Sequence, residues 1–173
     1  EILQAQSYKC LNFLDCFGSH RVITRVLSRH LKVREAGIED ETLIHTLRNH
    51  PVVRTASINK DEISIEAHKN WFKNALTRDD FSLRIAEVAG QPLGVVSFTE
   101  EAIGTFRVSI YLNQFTKKSC GMGQYILGAA EKTLPAQSRF VATVLGENTS
   151  SKRLFDRLNY RLERCEFSKG SNS

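Results

Sequence analysis

The spacing of hydrophobic residues changes along the chain, and each change predicts a different kind of element. In the part before Phe81 hydrophobic residues recur every three to four positions, which is typical of amphipathic helices. Helices are predicted over 19–30, from an N-cap at Asp40 to about Pro51, and from an N-cap at Ser64 to about Arg78, with a short strand over 31–35. Pro51 is expected to end the second helix, because proline disfavours helical geometry in the residue before it.

From Phe81 to Leu112 hydrophobic and polar residues alternate, with a turn at 89–92. This period of two predicts an antiparallel meander of three strands. The helical period returns after Gly123 and is expected to stop at Pro135. A strand over 140–145, a helix over 148–158, a last strand over 160–167 and a frayed tail over 168–173 complete the prediction.

Composition narrows the class of protein. The chain has 173 residues, of which 41% are hydrophobic and 25% charged, as expected for one globular domain. No run approaches the ~20 apolar residues of a membrane span, and no signal peptide is evident, so a cytoplasmic location without membrane association is expected. The numbering starts at Glu1 rather than at methionine, which suggests a piece of a longer chain.

Charge and cysteine content limit the classes of ligand and metal that the protein is expected to bind. The net charge of +5 suits nucleic acid, anionic lipid or a phosphorylated small molecule. The basic residues are dispersed and match no nucleic-acid signature, so a phosphorylated ligand is favoured over nucleic acid. The four cysteines and five histidines have no metal-ligand spacing, so no metal is expected.

The most informative local pattern is Lys118-x-x-Gly121-x-Gly123 between a strand and a helix. A helix N-terminus offers unpaired N–H groups and a partial positive charge to an anion, and glycine lets a phosphate approach the backbone. A Walker loop would need G-x-x-x-x-G-K, and a dinucleotide fingerprint would need a third glycine where Ile126 stands. A pyrophosphate turn of another kind remains, alongside a turn that merely starts a helix.

The order of elements, together with two motifs, resembles the GNAT family of N-acetyltransferases. The pyrophosphate motif of that family is R/Q-x-x-G-x-G/A, with Lys118 here at its first position. The second motif, N-x-x-S-x-x-L-[YF]-x-x-x-G-F, is matched from Asn148 through Phe155 to Tyr160, with Asn159 in place of its glycine. Asparagine tolerates the left-handed conformation that a helix end requires.

The resemblance implies an α/β fold of the α+β type, with a mixed, mostly antiparallel sheet flanked by helices, and acetyl-CoA as the cofactor. The backbone of β-strand residues Ile110, Tyr111 and Leu112 would pair with the pantetheine arm, and Asn148 and Ser151 would contact it from the other side. The pyrophosphate would lie against the turn, formed by Lys117, Lys118, Ser119, Cys120, Gly121, Met122 and Gly123.

The implied reaction is amide formation, in which a base deprotonates an amine and an acid protonates the leaving thiolate. Many family members use a tyrosine acid where this chain has Phe155. Tyr111, Tyr125 or Tyr160 is a candidate replacement, or the thiolate leaves without an acid. His68 is a candidate base or a substrate contact, because imidazole titrates near neutral pH. Its helix face is otherwise hydrophobic, so a core histidine is the alternative.

The segment from Arg48 to Trp71 resembles the acceptor side of the acetyltransferases of pseudaminic acid synthesis. The resemblance implies a UDP-linked 4-amino-dideoxy sugar as the acceptor, with Arg54, Ser57 and His68 contacting it. The stretch from Leu14 to Val22 resembles the end of a UDP-sugar hydrolase of the same pathway, which suggests a fusion. The expected organisation is a helical extension over 1–30, an acetyltransferase domain over 31–168 and a flexible tail over 169–173.

Three functions remain open at this point. The first is N-acetylation of an amino-sugar nucleotide. The second is N-acetylation of a protein or peptide, which would use the same cofactor-side residues. The third is a non-catalytic CoA-binding domain that regulates a fused enzyme, an idea that the absent tyrosine at position 155 favours. The oligomeric state is also open.

Overall fold

The computed structural model describes residues 25, 27–113 and 121–163 of the chain, and its centre is a five-stranded sheet. The strands lie in the order β1-β2-β3-β4-β5, with β1 to β4 antiparallel and β5 parallel to β4. The alternation of hydrophobic residues correctly predicted the meander, and the mixed, mostly antiparallel sheet is confirmed. The strands are β1 (Leu31–Glu35), β2 (Phe81–Val88), β3 (Gln91–Ala102), β4 (Thr105–Leu112) and β5 (Arg139–Val141).

The helices flank this sheet. They are α1 (Glu41–Asn49), α2 (Pro51–Thr55), α3 (Ile65–Ala75), α4 (Met122–Glu131) and α5 (Thr149–Arg157). Ser64 caps α3 as expected, because its Oγ accepts a hydrogen bond from the N–H of Ala67. Residues 27–30 are helical and lead into β1, whereas 19–24 and residue 26 of that predicted helix lie outside the described residues.

The two faces of the sheet bury two hydrophobic clusters. On one face α1 and α3 contribute Ile44, Leu47 and Phe72, which pack against β2 and β3. On the other face α4 contributes Ile126 and Leu127 to a larger cluster that also includes Phe155 of α5. Because successive strand residues point to opposite faces, β4 directs Val108, Ile110 and Leu112 to the larger cluster and Tyr111 to the smaller one.

Asp40 has a different role from the one predicted. It precedes α1, but its carboxylate caps no helical N–H there. Both oxygens instead accept hydrogen bonds from the Arg34 guanidinium, at 2.7 and 2.8 Å, and one also accepts the N–H of Gly37. The hydrogen bonds from Arg34 lower the pKa of Asp40, so this buried carboxyl stays ionised and fastens β1 to the start of α1.

Two predicted strands were wrong in extent, and one short helix was not predicted. Pro51 does end the preceding helix, but it also begins the short helix α2, since a proline at the first helical position loses no intrahelical hydrogen bond. In place of the strand predicted over 140–145, the structure has the shorter strand Arg139–Val141, because the pairing with β4 stops at Val141. Residues 160–163 are not a strand, and the rest of that predicted strand lies outside the described residues.

The end of α5 follows the sequence prediction. Asn159 has φ 63°, a left-handed conformation directly after the helix C-cap. Asparagine tolerates this conformation better than other residues with a side chain, so it replaces a glycine here without heavy strain.

Candidate active site

The sheet opens at the second half of β4. β4 pairs with β5 only from Thr105 to Arg107, and among the described residues no strand pairs with the rest of that edge. The other edge of β4 pairs with β3 along its whole length. A strand edge with unpaired N–H and C=O groups can accept an extended ligand as an additional strand.

The backbone direction along β4 follows from its hydrogen bonds. Asn113 donates its N–H to Leu93 O at 2.8 Å, so this opposed pair is a hydrogen-bonded one. Hydrogen-bonded pairs alternate along an antiparallel ladder, so the backbone of Tyr111 also faces β3. Ile110 and Leu112 therefore direct their N–H and C=O groups to the open edge. Of the three residues predicted to hold the pantetheine arm, these two have the required orientation and Tyr111 does not.

Gly121 lies at the start of α4, close in sequence to this edge. It is the N-cap residue with φ 74°, in the left-handed region where a side chain is strained. The first N–H groups of a helix have no partner within it, so this end of α4 has the polarity that suits an anion. The predicted phosphate-turn residues Lys117, Lys118, Ser119 and Cys120 lie outside the described residues.

Gly123 and Met122 have packing roles. A Cβ on Gly123 would lie 3.3 Å from Cδ1 of Leu154, so the missing side chain lets α4 approach α5 closely. Met122 is buried in the larger hydrophobic cluster. The side-chain environment of these two residues therefore reflects helix packing, and only their backbone remains as a contribution to a phosphate site.

Asn148 connects the start of α5 with the loop after α2. Its Oδ1 accepts the N–H of Ser151 at 3.0 Å, and its Nδ2 donates to Ala56 O at 3.3 Å. Lys60 and Glu147 form an ion pair across the same gap at 4.0 Å. Both ends of the Asn148 amide thus bond within the protein, which makes it a helix cap and a brace rather than a free group facing the predicted cofactor arm.

Phe155 occupies the position where the family motif allows a tyrosine, and it is only 9% exposed. Its ring lies 4.9 Å from that of Tyr160. The Tyr160 hydroxyl donates to Glu131 Oε1 at 2.6 Å, and burial, reinforced by this carboxylate, raises the pKa of Tyr160. Burial likewise raises the pKa of Glu131, against the effect of that hydrogen bond. Tyr160 is therefore committed to Glu131, which argues against it as the acid.

Tyr111 lies on the opposite side of the sheet from Phe155. Its ring packs against the cluster formed by α1 and α3. Burial raises the pKa of Tyr111, partly opposed by the positive charge of Arg48. The phenol therefore remains protonated at neutral pH beside a cation. Tyr125 packs against the larger cluster instead.

His68 is enclosed in the protein. It is 1% exposed, its Nε2 lies 3.0 Å from Glu41 O, and its ring is near those of His45 and Phe72. Burial lowers the pKa of His68, so the imidazole is neutral at pH 7. A base must reach the proton that it removes, so this environment favours the core interpretation of His68 over the catalytic one.

Arg54 and Ser57 lie at the end of α2 and in the loop that follows. Ser57 directs its hydroxyl back to Val53 O at 2.8 Å, as a helix end commonly does. Arg54 approaches Glu62 at 3.6 Å, but its Nε is buried with no partner among the described residues. Arg48 was not predicted as a site residue, yet its Nη1 is also a buried donor without a partner among the described residues. No periodicity or motif could have identified it, since an unpaired atom is visible only after folding.

No family model matches the chain, and no curated protein sequence does. Solved structures with a similar fold include the spermidine N-acetyltransferase of Vibrio cholerae in complex with CoA and spermine. It has a TM-score of 0.67 and 16% identity over 75% of this chain and 79% of that one. An aminoglycoside acetyltransferase in complex with coenzyme A has a TM-score of 0.67 and 13% identity, over 77% and 85% of the two chains.

A ribosomal-protein alpha-N-acetyltransferase in complex with coenzyme A has a TM-score of 0.65 and 17% identity, over 80% and 84% of the two chains. The chain has the GNAT fold. At these identities the likeness extends to the fold alone, and the names of the three enzymes indicate different acceptors: a polyamine, an aminoglycoside and a protein. The acceptor must therefore be argued from this chain's own side chains.

Other features of this GNAT fold lie away from the opening of β4. A polar cavity of about 450 Å³ is at the opposite end of the sheet, with Arg84 and Phe106 in its wall. Within the described ranges, no cluster of three or more potential ligand side chains could hold a metal ion. No helix in that part of the chain has the length and apolar character needed to cross a membrane.

Proposed function

We propose that this protein transfers an acetyl group from acetyl-CoA to the amine of a nucleotide-linked amino sugar, such as a UDP-linked 4-amino-dideoxy sugar. The open edge of β4 beside the Gly121 turn is the observation that carries the acetyl-CoA part of the proposal. Two outward-facing residues of β4 and an anion-compatible helix start occur together, and each fits a different part of one elongated, phosphate-bearing molecule.

The chain's own groups fit acetyl-CoA as follows. The N–H and C=O groups of Ile110 and Leu112 would bind the amide groups of the extended arm, as a neighbouring strand would. The start of α4 at Gly121 would face the pyrophosphate. Lys117 and Lys118, shortly before it in the sequence, would add positive charge. When bound, acetyl-CoA supplies a thioester carbonyl that an amine can attack.

Protein groups near the opening would position the acceptor and handle protons. Tyr111 is the candidate acid, because its phenol keeps its proton at neutral pH and lies at the end of β4. β4 carries no carboxylate, and His68 is enclosed. We therefore propose that the acceptor amine loses its proton to water, directly or through ordered solvent, rather than to a side-chain base. Turnover should then rise with pH until the acceptor's own pKa is reached.

The acceptor part of the proposal rests on the segment from Arg48 to Ser57 and on its cationic side chains. This segment lies beside Tyr111 and is linked by Asn148 to the start of α5, which is where a cofactor arm and an acceptor would meet. A sugar amine attached to a nucleotide has both the nucleophile and the negative charge that such a site would bind.

The direct test is release of CoA thiol from acetyl-CoA in the presence of a UDP-linked 4-amino sugar, the free amino sugar, a polyamine or an N-terminal peptide. We expect release with the UDP-linked sugar and little with peptides. Thiol release with peptides alone would show that the acceptor is a protein or peptide and not an amino sugar. Absence of release with every amine, together with tight acetyl-CoA binding, would support the non-catalytic domain, which the absence of a tyrosine at position 155 favours.

A backbone substitution tests the cofactor site itself. Leu112→Pro removes an N–H that β3 does not use, so the sheet should survive while the open edge loses one donor. We expect acetyl-CoA affinity, measured by calorimetry, to fall about tenfold, as for the loss of one good hydrogen bond. Leu112→Ala removes the same side chain and keeps the N–H, so it is the matched control. Equal affinity in the two variants would contradict the assignment of this edge.

A further inference from the structure

Two arginine side chains on the acceptor side each have a buried donor without a partner. In the described part of the chain, no hydrogen-bond acceptor lies within reach of Arg48 Nη1 or Arg54 Nε. Buried polar groups in folded proteins are almost always paired, so an unpaired donor needs an explanation, and donors on charged groups are the most costly to leave unpaired. Two such donors in one short segment indicate a missing acceptor.

Both guanidinium groups contact the same loop, residues 59–62. Arg48 Nη2 donates to Asn59 O at 3.0 Å, and Arg54 Nη1 lies 3.6 Å from a Glu62 carboxylate oxygen. The Glu62 side chain is 73% exposed, compared with 25% for Arg54, so this carboxylate is a weak and largely hydrated partner. Among the described residues no carboxylate lies within ion-pair distance of Arg48. The two positive charges are thus poorly compensated.

The segment from Arg48 to Ala56, which carries both arginines, has contacts on two sides of the site. Arg48 is close enough to Tyr111 for its charge to act on the phenol. On the other flank, Ala56 O accepts the hydrogen bond from Asn148 at the start of α5. Arg48 is therefore near the candidate acid, and the segment that carries Arg54 contacts the start of α5.

We propose that Arg48 and Arg54 bind an anionic group, a phosphate or a carboxylate, that the acceptor carries in addition to its amine. A guanidinium offers a planar set of donors that matches both anions, and charge-assisted hydrogen bonds of this type are strong and directional. The inference rests on the proposed acetyl transfer and deepens it. The incoming anion takes the place of the exposed Glu62, and the loop shifts so that the enclosed donors reach it.

The consequence is a specificity rule. Amines without an anionic group, such as a free amino sugar or a polyamine, leave the two donors unpaired and are poor acceptors. Amines that carry a phosphate, including nucleotide-linked sugars, satisfy them. Phosphate and carboxylate can both pair with the two guanidinium groups. To distinguish them, inorganic pyrophosphate and succinate are each tested as competitive inhibitors of acetylation, and the stronger inhibitor identifies the anion that the site prefers.

The experiment compares Arg48→Gln and Arg54→Gln with the wild type, using a UDP-linked 4-amino sugar and the same sugar without the nucleotide. The quantity measured is the ratio of kcat/KM for the two acceptors. We expect this ratio to fall at least about tenfold in each variant, through a higher KM for the UDP-linked sugar. Arg78→Gln is the control, since it also removes one positive charge but from an exposed pair with Asp80, and it should keep the wild-type ratio.

A binding measurement separates failure of the inference from failure of the proposed function. Calorimetry with UDP and with pyrophosphate needs no turnover, and we expect both to bind the wild type and to bind Arg48→Gln at least about tenfold more weakly. If acetyl-CoA binds and amines are acetylated with no preference for anionic acceptors, the inference is overturned and acetyl transfer stands. If no amine is acetylated but UDP binding depends on both arginines, acetyl transfer fails and the anion site stands.

A structural role for the arginines predicts a different result. Arg48→Met keeps the aliphatic length and removes the donors. This variant also loses the exposed Nη2 hydrogen bond to Asn59 O, so if the buried Nη1 is unpaired in the free protein, the urea midpoint should fall only by the small contribution of that one bond. Marked loss of stability, combined with unchanged UDP binding, would show that a structural partner satisfies Arg48 and would overturn the proposal.

Discussion

Gly121 begins α4 with a left-handed backbone, φ 74°, which makes its replacement by alanine a test of both fold and site. An L-residue in this conformation costs about 1–2 kcal/mol, because its Cβ approaches the following carbonyl oxygen. Alanine also lowers the conformational entropy of the unfolded chain, which stabilises the folded state by about 0.4–1 kcal/mol. The net expectation for Gly121→Ala is a loss of about 1 kcal/mol in the free energy of unfolding, obtained from the conformational cost minus this stabilisation.

The assay is urea and thermal unfolding of a matched set of glycine variants. For a chain of this length, about 1 kcal/mol corresponds to a fall in Tm of about 2–4 °C. Gly104→Ala should lose a similar amount, since Gly104 has φ 72° and nothing lies within 4 Å of the place that a Cβ would occupy. Gly128→Ala should instead gain about 0.5–1 kcal/mol, because its Cβ fits within α4, 3.6 Å from Leu158.

Cofactor affinity separates the two left-handed glycines. Gly121→Ala alters the backbone at the helix start and should weaken acetyl-CoA binding about tenfold, the value for one charge-assisted hydrogen bond. Gly104→Ala should leave that affinity unchanged, because Gly104 lies in the β3–β4 turn at the opposite end of β4. Wild-type stability in Gly121→Ala, while Gly104→Ala is destabilised, would refute the strain argument. Equal acetyl-CoA affinity in both variants would refute the phosphate assignment.

Three further predictions concern individual side chains. The pKa of His68 is below the unfolded value of about 6.5, so the unfolded state binds more protons and the wild type should lose stability as pH falls below that value. His68→Gln should reduce this loss in urea titrations at several pH values, and an unchanged pH dependence would show that another group causes it. Tyr111→Phe should lower kcat with little effect on the KM for acetyl-CoA, whereas a rise in turnover in Phe155→Tyr, with no loss in Tyr111→Phe, would move the acid to α5. Asn148→Ala should cost about 1 kcal/mol of stability through loss of the α5 cap and raise the KM for the acceptor, because the brace to Ala56 is lost; unaltered acceptor KM would mean that the brace has no functional role.

The sequence predicted those parts of the fold that depend on periodicity and on local backbone preference. Alternation identified β2 to β4, and the choice of Asn159 anticipated a left-handed residue after α5. It could not predict that Pro51 starts a helix as well as ending one, since both roles agree with the same local restriction on the backbone. The length of β5 was also inaccessible, because it depends on where two strands diverge and not on the residues of either.

For the site, sequence motifs identified the segments that form it more reliably than the function of each residue within them. Gly123 belongs to the pyrophosphate motif, but its missing side chain also gives room to Leu154, whose Cδ1 lies 3.3 Å from the place that a Cβ would occupy. Asn148 belongs to the second motif, but its amide bonds within the protein at both ends. Arg48 was overlooked because its significance comes from an unpaired atom. Each of these depends on contacts between residues distant in sequence, which local patterns do not record.

The divergence of β4 from β5 also bears on the free protein's solubility. An unprotected strand edge is a template for association with other chains, and natural sheets cover or charge such edges. Among the described residues, no strand covers the edge at Ile110 and Leu112. If acetyl-CoA lies along it, the ligand completes the sheet, and the ligand-free state is the one at risk of edge-to-edge pairing. Acetyl-CoA would then act as a stabiliser of the folded chain as well as a reactant, and its depletion would expose the protein to self-association before any loss of secondary structure.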